Sequence, residues 1–271
     1  MIRPSSLGLG ITGPHTTPLI PADQTQALIQ AALDAGITLF DTGPAYGQGE
    51  GETRLGKALG SQRPTALIST KAGITEHRER DFSADGIEAS LVRSLERLGT
   101  CYVDWLWLHG PSPDELTNPA LLARLADLKS RAMIRHVGVC GRGRELDTAL
   151  EIDAIEGIMA PFHAGLDTRQ RARLRTAHNA GLFVAGIEVM AGARRGHTNP
   201  LRPADLWTLA RRVKHRLTGL SSPPLDITPA QALEFALDAQ EIDCALTMTS
   251  RIPHMQANAR LAGLVGPGAT T

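Results

Sequence analysis

Aromatic residues are scarce in this chain. They make up 4% of its 271 positions, with two tyrosines among them. A tyrosine inside a motif is therefore informative. Cysteine is scarce as well. Cys101, Cys140 and Cys244 are too few and too scattered for a disulfide framework, and no Cys-x-x-Cys pair suggests a zinc ribbon. Neither charge is in excess, since Lys plus Arg and Asp plus Glu both count 28. That balance removes any global attraction to nucleic acid or an anionic membrane. No apolar run is long enough to cross a bilayer; the stretch Leu182 to Ala193 is interrupted by Glu188. The start, Met1-Ile2-Arg3-Pro4-Ser5-Ser6, leads into a segment broken by Gly and Pro and shows no signal-peptide core. The expectation is a soluble cytoplasmic protein that binds neither nucleic acid nor membrane.

What is present is an ordinary globular composition, 42% hydrophobic and 21% charged. Apolar runs alternate with helix-period segments from end to end. The strand candidates are Leu7–Ile11, Thr38–Asp41, Thr65–Lys71, Val103–His109, Ile134–Val139, Ala154–Met159, Leu182–Ile187 and Asp243–Met248. Most are near-continuous apolar runs, as expected of parallel strands covered by helices. Between them, Ile87, Leu91, Leu95 and Leu98 share a helix face. Asn118-Pro119 reads as an N-cap followed by Pro at N1, and Thr228-Pro229-Ala230-Gln231 as a capping box. Gly36, Gly99 and Gly181 stand where helices end.

Eight such units in 271 residues, roughly 34 each, predict a single-domain (β/α)8 barrel over residues 1–271. An open doubly wound sheet is weakened by the lack of a Gly-x-Gly-x-x-Gly turn, because Leu7-Gly8-Leu9-Gly10 is too short for it. An insertion, 192–226, follows the seventh strand. It carries Arg194, Arg195, Arg202, Arg211, Arg212, Lys214 and Arg216 against Asp205, and Leu206–Leu217 suits a helix. It is either a solvated surface helix or a loop closing over an anionic ligand. The tail Val265–Thr271 reads as disordered.

Three strand ends hold unusual polar residues. The second candidate strand ends at Asp41, with Tyr46 following in Asp41-Thr42-Gly43-Pro44-Ala45-Tyr46-Gly47. The third ends at Lys71 and the fourth at His109. In a barrel, the C-terminal strand ends converge on one mouth. A lysine ammonium favours an ionised tyrosine and lowers its pKa. Asp41 would hold the lysine, Tyr46 would be a general acid usable near neutral pH, and His109 would orient a substrate carbonyl. Singly, each has a plainer explanation: a turn, a solvated charge, a structural histidine, packing. Their occurrence in order on three adjacent strands favours catalysis.

These residues resemble those of the aldo/keto reductase family. The resemblance is carried by Phe40 to Gly47, the Glu50 to Leu59 helix, Ser69-Thr70-Lys71 and Val103 to His109, with Ile134 to Val139 similar to the family's fifth strand. It extends from Leu7 to about Leu264. It implies a nicotinamide-dependent enzyme that reduces an aldehyde or ketone, or oxidises the matching alcohol. By position, Tyr46 would be the proton donor, Lys71 and Asp41 its tuning pair, and His109 the carbonyl-orienting residue. NADP(H) is the implied cofactor, with NAD(H) as the other possibility.

The cofactor positions depart from the family pattern. Cys140-Gly141 stands where the family usually has Ser-Asn. Met159 replaces a Gln, and Ile187 replaces the aromatic that stacks on nicotinamide, with Glu188 next to it. Near the C-terminus the resemblance assigns Ser250, Arg251 and Asn258 to the adenosine end. Arg251 suits a 2′-phosphate, or is a solvated residue opening the last helix. Arg194 and Arg195 are secondary candidates for the pyrophosphate. Each missing neutral hydrogen bond costs about 1 kcal/mol, so micromolar or weaker cofactor affinity is expected. A second reading follows: an isomerase or lyase using the same acid/base set without a redox cofactor. A third, a non-catalytic binding subunit, is disfavoured by the four-residue set. Cys140 reads as a buried inert thiol. No carboxylate spacing completes a metal site around His109, His136 and His163.

Overall fold

The computed structural model describes residues 3–194, 202–217 and 223–264. Arg195 and the tail Val265–Thr271 lie outside these, as do the side chains of Arg212, Lys214 and Arg216. Eight parallel strands close into a barrel in sequence order. They are β1 (Leu7–Gly10), β2 (Leu39–Asp41), β3 (Leu67–Ala72), β4 (Val103–His109), β5 (Ile134–Cys140), β6 (Gly157–Pro161), β7 (Phe183–Ile187) and β8 (Cys244–Thr247). Helices alternate with them, as the apolar periodicity predicts.

The continuous apolar runs have a geometric explanation. Successive strand residues point to opposite faces. Leu106, Leu108, Val137 and Val139 face outward into the layer beneath the helices. Trp105, Trp107, Cys140, Met159 and Ala185 belong to a separate cluster, the barrel interior. Both faces are dry, so both must be apolar. Trp107, whose direction the sequence leaves open, is fully buried and stacks on Trp105 at 4.8 Å. Trp105 also stacks on His136 and Phe183, at 4.7 and 4.9 Å. These rings fill the barrel interior.

Gly138 makes room for this stack. A Cβ there would lie 2.2 Å from the Trp107 ring and 2.7 Å from the Gly157 carbonyl oxygen. Gly138→Ala is therefore expected to destabilise the fold by about 1–3 kcal/mol, through overpacking. A lowered urea midpoint with an unchanged denaturant slope would bear this out; an unshifted midpoint would contradict it.

Several boundaries differ from the sequence reading. β3 starts at Leu67, because Thr65 closes a 3-10 turn built around Pro64, and it runs one residue past Lys71. β6 starts at Gly157 and runs to Pro161, while Ala154–Glu156 form the approach to it. Met248 lies beyond β8. Capping follows expectation: Asn118 accepts from the Ala120 N–H, and Thr228 and Gln231 form the capping box. Gly36, Gly99 and Gly181 all have positive φ.

The helix of the insertion spans Pro203–Leu217, starting earlier than expected. The insertion leaves and returns at a closed neck. The Leu225 N–H donates to the Gly192 carbonyl at 2.7 Å, the Arg194 N–H donates to Ile227 at 2.8 Å, and the Arg194 side chain pairs with Asp226. Trp207 rests against Gly13, which Met248 also approaches, beside the ends of β1 and β8. The Arg211 guanidinium lies over the Trp207 ring at 5.3 Å.

Candidate active site

Asp41 ends β2, Lys71 is next to last in β3, and His109 ends β4. Their strands are neighbours in the barrel. The three side chains therefore meet at one end of it, as the sequence spacing predicts.

Lys71 and Asp41 form a buried pair, 2% and 6% exposed. The Lys71 ammonium donates to the two Asp41 carboxylate oxygens at 2.7 and 2.6 Å, and to the Thr42 carbonyl at 2.8 Å. Ser69 donates its hydroxyl to Asp41 at 2.6 Å. Ser69 and Lys71 are two apart on β3, so both point inward. Burial, the largest single influence, pulls the lysine pKa down, but Asp41 together with Tyr46 and Cys140 outweighs it and the net shift is upward. The ammonium stays charged throughout the working pH range.

Tyr46 stands in the loop between β2 and the helix Glu50–Leu59. Its N–H donates to the Gly43 carbonyl at 3.1 Å. Gly47 follows with φ of 62°, and a Cβ there would strike the Thr16 carbonyl oxygen at 2.4 Å. Only glycine takes that turn without strain. The loop brings the Tyr46 ring to 5.0 Å from the Lys71 ammonium. The electrostatics correct the sequence reading. Burial raises the Tyr46 pKa above its ordinary value, and the opposing pull of Lys71 does not overcome it. Desolvation penalises the phenolate more than one cation, already neutralised by Asp41, can repay. Tyr46 therefore holds its proton at neutral pH.

His109 is pushed down to about 4, by burial first and then by the charges of Lys71 and Arg142. Its imidazole is neutral at pH 7 and offers one N–H donor.

The proposed cofactor positions fall into two groups. Cys140 and Ile187 end β5 and β7, and Met159 lies midway along β6 between them, where Cys140 pairs with Met159 and Pro161 with Ile187. They make an apolar wall with Ala185. Gly141 spends its N–H on the Met159 carbonyl at 3.0 Å. The Cys140 thiol is pushed up to about 11 by burial and is an inert protonated wall residue. The second group lies beyond β8: Ser250 and Asn258 are partly exposed, and Arg251 is exposed at the start of the helix Ile252–Leu261. Arg194 pairs with Asp226, and both side chains are exposed.

Sequence reading missed one feature of the mouth. Arg142 and Glu188 form a two-pronged ion pair between the segments after β5 and β7. The signal was present, since Arg142 lies two residues past inward-facing Cys140 and Glu188 interrupts the most apolar stretch. Of the three histidines weighed for a metal, His136 is lower in the barrel, on Trp105 and against Glu156 at 2.9 Å. Among the described residues no group of three or more His, Cys, Asp or Glu side chains has the arrangement of a metal site.

An eight-stranded barrel with a buried lysine–carboxylate pair beside a protonated tyrosine brings together the groups that proton transfer at a substrate oxygen requires. Comparison with known proteins narrows the reading. The model of the aldo/keto reductase family matches residues 6–264. The chain is 28% identical to a D-threo-aldose 1-dehydrogenase from a Pseudomonas species, over 90% of this chain and 85% of that protein. It is 32% identical to D-arabinose 1-dehydrogenase of Saccharomyces cerevisiae, over 89% and 84% of the two chains. A crystal structure of an aldo/keto reductase from Klebsiella pneumoniae, in complex with NADP and acetate, has the same fold, with a TM-score of 0.71. That likeness covers 97% of this chain and 87% of the other at 20% identity. The chain belongs to the aldo/keto reductase family and is an NAD(P)H-dependent oxidoreductase interconverting carbonyls and alcohols. The isomerase or lyase reading and the non-catalytic reading are thereby set aside.

Proposed function

We propose that the enzyme reduces a small aldehyde or ketone with NADPH, or oxidises the matching alcohol with NADP, using Tyr46, Lys71, Asp41 and His109. The observation that carries this reading is the buried Lys71–Asp41 pair beside the Tyr46 ring. The residues present fit the cofactor. The apolar wall of Cys140, Met159 and Ile187 suits a flat nicotinamide face, and Ser250, Arg251 and Asn258 suit the adenosine phosphate end. Arg251 is the reason to favour NADP over NAD, since a guanidinium matches a phosphate. When bound, the cofactor supplies the hydride.

The protein handles the proton and the charge. His109, neutral, donates its N–H to the carbonyl oxygen and orients it. The Tyr46 hydroxyl gives its proton to that oxygen as it becomes an alkoxide, a far stronger base than a phenolate. Lys71 stabilises the phenolate that remains, and Asp41 keeps Lys71 in place and balances its charge. We read the whole chain as one barrel domain with an insertion at 192–226, and its location as cytoplasmic. Among the described residues no helix is long and apolar enough to cross a membrane.

Tryptophan fluorescence titration with NADPH and NADH tests the reading, alongside aldehyde-dependent NADPH consumption. Quenching by NADPH with turnover is expected; no quenching by either at millimolar concentration would refute it. The raised Tyr46 pKa gives a directional prediction. Reduction needs the protonated phenol and should be level from neutral to mildly alkaline pH. Alcohol oxidation needs the phenolate, so its kcat/KM should climb with pH, by up to about tenfold per unit, towards a pKa above the usual ~10. Oxidation that is level over the same range would remove Tyr46 as the proton acceptor.

A further inference from the structure

His15 is fully buried. It belongs to the 3-10 turn Gly13–Thr16, just after β1. Both its ring nitrogens are spent. Nε2 donates to the Thr249 carbonyl at 2.8 Å, and Nδ1 accepts from the Thr25 hydroxyl at 3.2 Å. A carbonyl can only accept, so the proton is on Nε2. The Thr25 hydroxyl in turn accepts from an Arg54 N–H at 3.2 Å, which leaves its own hydrogen for His15. Arg54 is anchored by Glu50 at 2.7 Å and by the Ile20 carbonyl at 2.6 Å. The bonds run one way, from the guanidinium through Thr25 and His15 to Thr249, and each polarises the next. Burial, the largest influence, holds the His15 pKa below its ordinary value; the Thr249 bond opposes this and Arg54 adds to it. The ring is therefore neutral at pH 7 and keeps this pattern of bonds.

Thr249 lies between β8 and the helix Ile252–Leu261, 234 residues from His15. Its hydroxyl accepts the Arg251 N–H at 3.2 Å. No peptide among the described residues is cis. A trans amide points its N–H opposite to its carbonyl. With the Thr249 carbonyl turned inward onto a buried ring, the Ser250 N–H turns outward. Among the described residues that N–H has no hydrogen-bond partner. The exposed Arg251 follows it directly. A free N–H beside a guanidinium suits a phosphate. An apolar residue could fill the space of His15, but it would leave the Thr249 carbonyl free to turn. We propose that His15 is a positioning residue for the cofactor: it holds the Thr249 carbonyl inward and so sets Ser250 and Arg251 to take the 2′-phosphate of NADPH. Buried as it is, His15 acts through the loop alone. This rests on the reading that Ser250 and Arg251 hold the adenosine end.

The test uses two nucleotides that differ only in the 2′-phosphate, adenosine 2′,5′-bisphosphate and adenosine 5′-phosphate. Calorimetric titration of each reports binding apart from turnover, and thermal melts confirm folding. The wild type should prefer the bisphosphate by about tenfold or more, as expected of hydrogen bonds to a charged group. Arg251→Met should remove that preference. His15→Asn puts its amide near the Nδ1 position, short of Thr249, so its preference should collapse to within about threefold. His15→Gln puts its amide nitrogen near the Nε2 position and should keep the preference to within about threefold of wild type. In turnover, the His15→Asn loss should appear as a KM for NADPH raised about tenfold, with kcat little changed. A folded His15→Asn that keeps the wild-type preference would overturn the role. So would an equal weakening of both nucleotides, or a His15→Gln variant no better than His15→Asn. If the wild type shows no preference, or Arg251→Met keeps it, the adenosine-end reading itself fails and the His15 role falls with it. Should His15→Asn not fold, His15→Phe, which keeps a ring without either bond, must show the same collapse. If neither folds, His15→Gln decides: a kept preference supports the role and a lost one overturns it.

Discussion

Tyr46→Phe is expected to lower the rate of carbonyl reduction by about 10²–10⁴-fold, the usual contribution of a positioned general acid. Three observations place that weight on one hydroxyl. The ring lies 5.0 Å from the Lys71 ammonium. Burial keeps the phenol protonated at neutral pH, so the acid form is ready. His109, the other polar group of the layer, is also neutral, and its imidazole N–H is far too weak an acid to replace a phenol. The substitution removes one oxygen from a loop fixed by backbone hydrogen bonds, and it leaves the Lys71–Asp41 pair intact. Thermal stability and NADPH affinity should therefore barely change while single-turnover reduction collapses. A variant that reduces its aldehyde within about tenfold of the wild-type rate would show that the proton comes from elsewhere.

The second large effect is on stability. Lys71→Met should cost about 3–5 kcal/mol, because it leaves Asp41 buried without its cation. Methionine fills a similar volume, so the loss is electrostatic rather than a cavity. The Ser69 hydroxyl still donates to Asp41 but cannot balance its charge. Urea unfolding of the single variants and of the double variant Lys71→Met with Asp41→Asn separates the terms. The double variant should be more stable than Lys71→Met alone, since no unpaired charge is then buried. A Lys71→Met variant within about 1 kcal/mol of wild type would mean that water reaches the pair, and the dry-site argument for Tyr46 would fall with it. Activity should be lost in both variants, because the phenolate loses its stabilising cation.

Much of this site was legible in the sequence. Asp41, Lys71 and His109 stand at or beside the ends of apolar runs, and parallel strands carry their ends to one mouth. Tyr46 follows Asp41 closely, in the segment Asp41 to Gly47. Two things were not legible. The sign of the Tyr46 shift was misread, because proximity to a lysine can be inferred from spacing whereas desolvation depends on every atom packed round the ring. The Arg142–Glu188 pair was missed, because its partners are 46 residues apart and meet only once β5, β6 and β7 lie side by side. The two tyrosines make the same point. Tyr46 is at the mouth, while Tyr102 lies between the guanidinium groups of Arg63 and Arg135, at 4.2 and 4.3 Å, just before β4 begins. Composition cannot distinguish a tyrosine beside a buried ion pair from an aromatic spacer between guanidinium groups.

The sequence by itself determined the eightfold strand–helix alternation, the barrel class, the helix caps and the identity of the inward-pointing polar residues. These depend on local periodicity and on the parity of side chains along a strand. The tertiary structure alone decided which charges neutralise one another, which way Trp107 and its neighbours fill the interior, and how the insertion helix lies beside β1 and β8. Those depend on distances between residues remote in the chain and on how much water the packed atoms exclude.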